Sequence, residues 1–136
     1  MPDLFKPEYL QAPKEKRESL GKVAENTLKH HEFEHARHFY KGFDSYPLDK
    51  FYNQQGDLNE TLFMAVSELL AYQNELKMIR ANKNLKHTAV ARNPILLVKE
   101  ASMYYPRLFD PQVLSGQDPQ FATLLQERLH PDKLFK

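Results

Sequence analysis

Four of the chain's six histidines, His30, His31, His35 and His38, fall within nine residues. The order His31-Glu32-Phe33-Glu34-His35 sets two imidazoles one helical turn apart, so both project from the same side of a helix and can reach one metal ion. Glu32, rotated by about 100° from His31, can face a water on that ion and take its proton. Those types at that spacing are what metal-assisted hydrolysis requires. His38, a turn beyond His35, is placed to hydrogen-bond a ligand or to serve as one.

Such chemistry needs a long helix beneath it, and proline placement says where one can form. The nine prolines leave 14–46 and 48–93 free of this helix breaker. The first window predicts a helix from about Lys14 to Tyr40, opened by Pro13 and closed by Gly42. Leu20, Ala24, Leu28, His31, His35, His38 and Phe39 share one stripe of it, so an aliphatic face is continued by three histidines. The second window predicts a helix from near Asp57 or Asn59 to about Arg80, with Leu58, Leu62, Val66, Leu69 and Leu76 on its apolar face. Residues 81–94 read as a polar linker or frayed helix. A third helix is expected from Pro94 to about Tyr104 and a short last one from Pro119 to Leu129. Sustained two-residue alternation is missing, so no sheet is expected. The fold expected is all-α: one domain over 1–136, whole or cut from a larger protein, with three to four helices. The first two are long and antiparallel, and the ends at about 1–12 and 130–136 are flexible.

The segment from His31 to His35 resembles the active-site helix of the zincin metallopeptidases. In the glutamate-ligand (gluzincin-like) branch the third ligand comes from a following helix. Here Ser67-Glu68-Leu69-Leu70-Ala71-Tyr72-Gln73-Asn74-Glu75 is similar to the glutamate-bearing helix of several small zincin families, where Ala and Tyr closely follow the ligand. The resemblance spans residues 31–75. It implies Zn²⁺ held by His31, His35 and Glu68, Glu32 as general base, and a peptide or protein substrate. The residues themselves agree in part, since Glu68 sits at the margin of the apolar face beside Ala65, Tyr72 and Glu75. They leave Glu75 as a reserve ligand, or a support to one, and Glu60 as a weaker candidate. His30 and Glu34 also form an H-x-x-x-E pair similar to the ligand helices of hemerythrin-like bundles. His87 and His130 do not supply the matching second set.

Nineteen Lys and Arg against eighteen Asp and Glu leave a formal charge of +1, which gives no overall pull toward nucleic acid or an anionic membrane. Without cysteine there are no disulfides, no thiol catalysis and no cysteine-ligated metal. The longest aliphatic run, Ile95–Val98, is too short to cross a bilayer, and the N-terminus carries no signal-peptide pattern. A cytoplasmic protein is expected, with export as an effector the other route. A local basic run of Lys77, Arg80, Lys83, Lys86 and Arg92 reads as a solvated helix end rather than a nucleic-acid surface.

The rival expectation is a non-enzymatic helical interaction module, such as an adaptor, inhibitor or effector. There His31 and His35 are hydrogen-bonded histidines at the core margin, and Glu32 and Glu34 are solvated partners of Arg37 or His38. Glu68 then pairs with Lys22 or Lys29, Tyr72, Tyr104 and Tyr105 are core-edge aromatics, and the basic run or the aromatic stretch 103–109 meets a protein.

Overall fold

The computed structural model describes residues 14–136, with side chains of the first helix described at 22, 25, 26 and from 29 onward. The expected flexible end at 1–12 and the side chains of Leu20, Ala24 and Leu28 lie outside the described residues. Six α-helices follow one another: α1 (Lys14–Lys41), α2 (Glu60–Ala81), α3 (Ala89–Arg92), α4 (Ile95–Ala101), α5 (Pro119–Arg128) and α6 (Pro131–Leu134). Two 3₁₀ segments, Leu48–Phe51 and Tyr105–Phe109, lie between them. Among the described residues there is no strand or sheet, only an isolated bridge between Tyr52 and Leu58. No described helix is long and apolar enough to cross a membrane.

Local chemistry sets the ends of the long helices. Gly42 takes φ +73° just past α1, and its N–H donates to the His38 carbonyl at 2.8 Å, an αL cap that needs glycine. Asn59 caps α2 by accepting from the Leu62 N–H. The same side chain donates to the Val113 carbonyl at 2.6 Å and to Gln117 Oε1 at 3.1 Å, tying a distant loop to the start of α2.

α2 is the axis of the fold. Leu62, Phe63, Ala65, Val66, Leu69, Ala71, Leu76 and Ile79 are all buried on it, and a helix apolar on most sides must be covered on most sides. The cover comes from α1, α3, α4, α6 and both 3₁₀ segments. Along the α1–α2 seam Phe39 meets Phe63, His35 and His38 meet Ser67, and His31 meets Tyr72 and Glu75. Numbers rise on one helix as they fall on the other, so the pair is antiparallel as expected. At one end of the seam Phe43, Phe51, Phe63 and Phe121 form a ring cluster with centroids 4.7–5.4 Å apart.

The C-terminal half departs from expectation. The helix predicted to reach Tyr104 ends at Ala101, and a 3₁₀ segment with Pro106 in its first turn follows from Tyr105. Inside the expected linker, Val90 and Ala91 are buried on the short α3. The end expected to be flexible, 130–136, is packed. The His130 imidazole caps α6 by accepting from the Asp132 N–H, and Leu129, Leu134 and Phe135 fill the core. Arg80 of the basic run is a tie rather than a free cation, donating to the carbonyls of Ala91 and Lys136. In the aromatic stretch Leu108 is buried and the Tyr105 hydroxyl donates to the Gln126 carbonyl, while Met103 and Phe109 are exposed.

Phe51 is fully buried between the rings of Phe43, Phe63 and Phe121. Phe51→Ala is therefore expected to destabilise the protein by about 3–5 kcal/mol in urea unfolding. Ile95→Ala, at an exposed position, should stay within about 0.5 kcal/mol of wild type.

Candidate metal centre

His31, His35 and His38 follow the seam-facing stripe of α1 and are buried, at 6%, 9% and 2% exposure. α2 answers with Ser67, Glu68, Tyr72 and Glu75. The His35 Nε2 lies 2.8 Å from Glu68 Oε1, the His31 Nε2 lies 3.1 Å from Glu68 Oε2, and the two Nε2 atoms are 3.0 Å apart. One potential ligand atom from each of His31, His35 and Glu68 thus falls within 4.8 Å of the others. The structure brings together the three residues expected to hold a metal.

The far sides of the imidazoles are also engaged. Nδ1 of His31 is in close contact with Oε1 of Glu75, a carboxyl group with no exposed surface. The contact does not form a well-directed hydrogen bond, but with Glu75 ionised it favours the proton on Nδ1 of His31, which in the neutral ring turns the Nε2 lone pair to the ligand position. Nδ1 of His35 is 2.6 Å from the Ser67 hydroxyl, and Nδ1 of His38 approaches the same oxygen at 2.7 Å. Glu75 and His38, offered as reserve ligands or supports, thus stand behind the ligand atoms rather than among them. The Tyr72 ring lies against His31, centroids 4.6 Å apart, as a core-edge aromatic.

This seam demands positive charge. Burial opposes ionisation of His31, but the Glu68 and Glu75 carboxylates outweigh it and hold its pKa up at about 9. Burial likewise opposes the Glu68 carboxylate, and bonding to His31 and His35 overcomes it and draws its pKa down to about 2. Burial pushes the Glu75 carboxyl up, with His31 pulling the other way. His38 is kept neutral, its pKa lowered to about 4 by burial. A proton on His31 or a metal cation among the three ligand atoms satisfies the two carboxylates.

Other candidates fall outside. Glu32 is exposed on α1 and makes no contact with the cluster. Glu60 is exposed in the first turn of α2, eight residues or about 12 Å of helix before Glu68. His30 and His87 are exposed as well. Glu34 is bound by Arg37 at 2.9 Å. A cleft of about 340 Å³ opens on the His38 side of the seam, with Glu34, Arg37, Tyr46, Lys77 and Arg128 in its walls. His31, His35 and Glu68 do not line it. Ser67 was not among the sequence candidates. The signal available was a lone hydroxyl among Ala65, Val66, Leu69 and Ala71 on a helix buried on most sides.

No known protein family, curated protein or solved structure matches the chain.

In chelator, pH should expose these charges. His31 binds its proton more tightly folded than unfolded, so its contribution is fully present below the unfolded value of about 6.5 and is lost as pH rises through about 9. His38 binds its proton less tightly folded, so its neutral form favours folding above about 6.5, and that contribution is lost as pH falls through about 4. The urea midpoint should peak near pH 6–7. His31→Leu should flatten the alkaline limb, and His38→Asn the acid limb.

Proposed function

We propose that the protein binds one divalent transition-metal ion between α1 and α2 through His31, His35 and Glu68, and uses it to hydrolyse a peptide or amide bond. The observation that carries this reading is the convergence of two imidazole nitrogens and a carboxylate within 3.1 Å, each imidazole engaged from behind. Two nitrogens and one carboxylate suit zinc. Three protein ligands are also the number found in catalytic zinc sites, which keep a position for water, whereas structural sites close with four. When bound, the ion supplies Lewis acidity and a water of lowered pKa. The zincin resemblance assigns the proton transfer to Glu32, adjacent to His31 and without a partner among the described residues, which would have to turn toward the ion from its exposed place on α1. Residues 31–75 carry the zincin resemblance that names peptides as substrates. With no cysteine to oxidise, we assign the protein to a reducing compartment such as the cytoplasm.

One observation favours a second reading. Because Glu32 touches none of the cluster, the ion can serve as a clamp between two helices in a module without hydrolytic activity.

Untagged protein purified without chelator should contain about one zinc per chain. The double variant His31→Ala/His35→Ala should contain none by elemental analysis, and zinc should raise the melting temperature of the wild type alone. Wild-type protein free of metal after zinc is supplied would reject the site. Glu32→Gln should keep its zinc and lose roughly 10²–10⁴-fold in cleavage of a peptide pool. Zinc without cleavage in wild type would leave the clamp.

A further inference from the structure

We infer that Ser67 and His38 are positioning residues of the metal site: the Ser67 hydroxyl joins Nδ1 of His35 to Nδ1 of His38 in a hydrogen-bond chain that, with Glu34 facing its far end, leaves the Nε2 lone pair of His35 free for the ion. The inference rests on the metal-binding reading above and adds the device that orders its second histidine.

The Ser67 hydroxyl lies between two imidazoles, 2.6 Å from Nδ1 of His35 and 2.7 Å from Nδ1 of His38. It has one proton, so it donates to one ring and accepts from the other. Both ends bear on the direction. While no ion is bound, Glu68 Oε1, 2.8 Å from Nε2 of His35, favours a proton there. An ion at the site requires that lone pair, and Glu34 favours a proton on Nε2 of His38. Nε2 of His38 faces Oε2 of Glu34 at 3.5 Å, and the same oxygen accepts from the Arg37 guanidinium at 2.9 Å. A carboxylate can only accept. His38 therefore carries its proton on Nε2 and presents a bare Nδ1, which accepts from the Ser67 hydroxyl. The hydroxyl oxygen then accepts from Nδ1–H of His35. His35 is left with its lone pair on Nε2, the atom that points at Glu68 and at Nε2 of His31.

Reversing the chain would place a lone pair of His38 against the Glu34 carboxylate. It would also put a proton on Nε2 of His35, where it blocks the ligand position. The two histidine ligands are thus ordered by two carboxylates, His31 directly by Glu75 and His35 at a distance by Glu34 through His38 and Ser67. Burial makes the chain selective. Ser67 has no exposed surface and His38 has 2%, with its ring held 4.6 Å from that of Phe43, so the link between them is shielded even though His38 borders the cleft. A serine on this otherwise apolar part of α2 also gains a purpose.

The test is zinc affinity of the full chain, read by competition with a chromophoric chelator for wild type, Ser67→Ala, His38→Leu and His38→Asn. Thermal unfolding in excess chelator reports the fold of each. Ser67→Ala and His38→Leu should bind zinc about 10–100-fold more weakly. His38→Asn, whose amide oxygen can accept from the Ser67 hydroxyl in place of Nδ1, should keep wild-type affinity. The visible spectrum of the Co²⁺-loaded protein should change in the first two variants and not in the third. A merely structural role would lower the melting temperature in chelator and leave affinity and spectrum alone, and that result overturns the inference. Should Ser67→Ala fail to fold, the contrast between His38→Leu and His38→Asn decides it. Zinc bound by wild type with equal affinity in every variant removes the positioning role and leaves the metal site standing. No zinc in wild type removes both.

Discussion

The seam between α1 and α2 is closed partly by ionisable groups where aliphatic contact would be the simpler solution. His31 and His35 meet the Glu68 carboxylate, Glu75 lies fully buried behind them, and His38 and Ser67 continue the line. Removing such groups from water costs several kcal/mol for each charge, and a buried polar atom left without a partner costs about 1–3 kcal/mol. Most of these groups meet that cost with a definite neighbour, while the Glu75 carboxyl lies against His31 without a directed hydrogen bond. That pairing restricts the register of the two helices. Sliding α1 along α2 by one residue would part His31 from Glu75 and His35 from Ser67 together, whereas an all-leucine seam would tolerate such a shift.

The surrounding structure acts as the support for that seam. α2 is apolar on most sides and is gripped by the short C-terminal helices, the two 3₁₀ segments and the ring cluster around Phe51. Its orientation is set by contacts that have nothing to do with chemistry. The polar groups it presents to α1 are thereby held at fixed heights, as a preorganised site requires.

Much of this was legible in the residues, and the reasons differ from place to place. The long helices announced themselves through proline-free windows and 3.6-residue periodicity, and the structure sets α1 at Lys14–Lys41 and α2 at Glu60–Ala81. The i, i+4 spacing of His31 and His35 placed them on one face without knowledge of any partner. Glu68 was named through the zincin resemblance, with its place at the margin of the apolar face agreeing in part, and Glu75 because it lies two turns on along nearly the same line. Ser67 was not legible: a serine in a helix is unremarkable until the opposite helix brings two imidazoles to its hydroxyl. The four-residue helices α3 and α6 escaped because they hold barely one turn, too little for a period to show. The packed C-terminal end escaped because three apolar side chains near a terminus look the same whether or not a groove awaits them. Exposure of Glu32 also lay beyond the pattern, since spacing assigns a residue to a sector of a helix and not to solvent or seam.

The all-helical build has a consequence for whatever approaches this seam. Around the site the backbone amides and carbonyls are spent inside helices, and the described residues offer no sheet edge. An extended chain lying along such a surface finds no row of main-chain groups to zip onto, the contact that lets edge strands bind many sequences alike. Recognition at these helices must run through side chains. It is therefore selective by nature, rewarding a few matching groups and ignoring the common backbone that all polypeptides share.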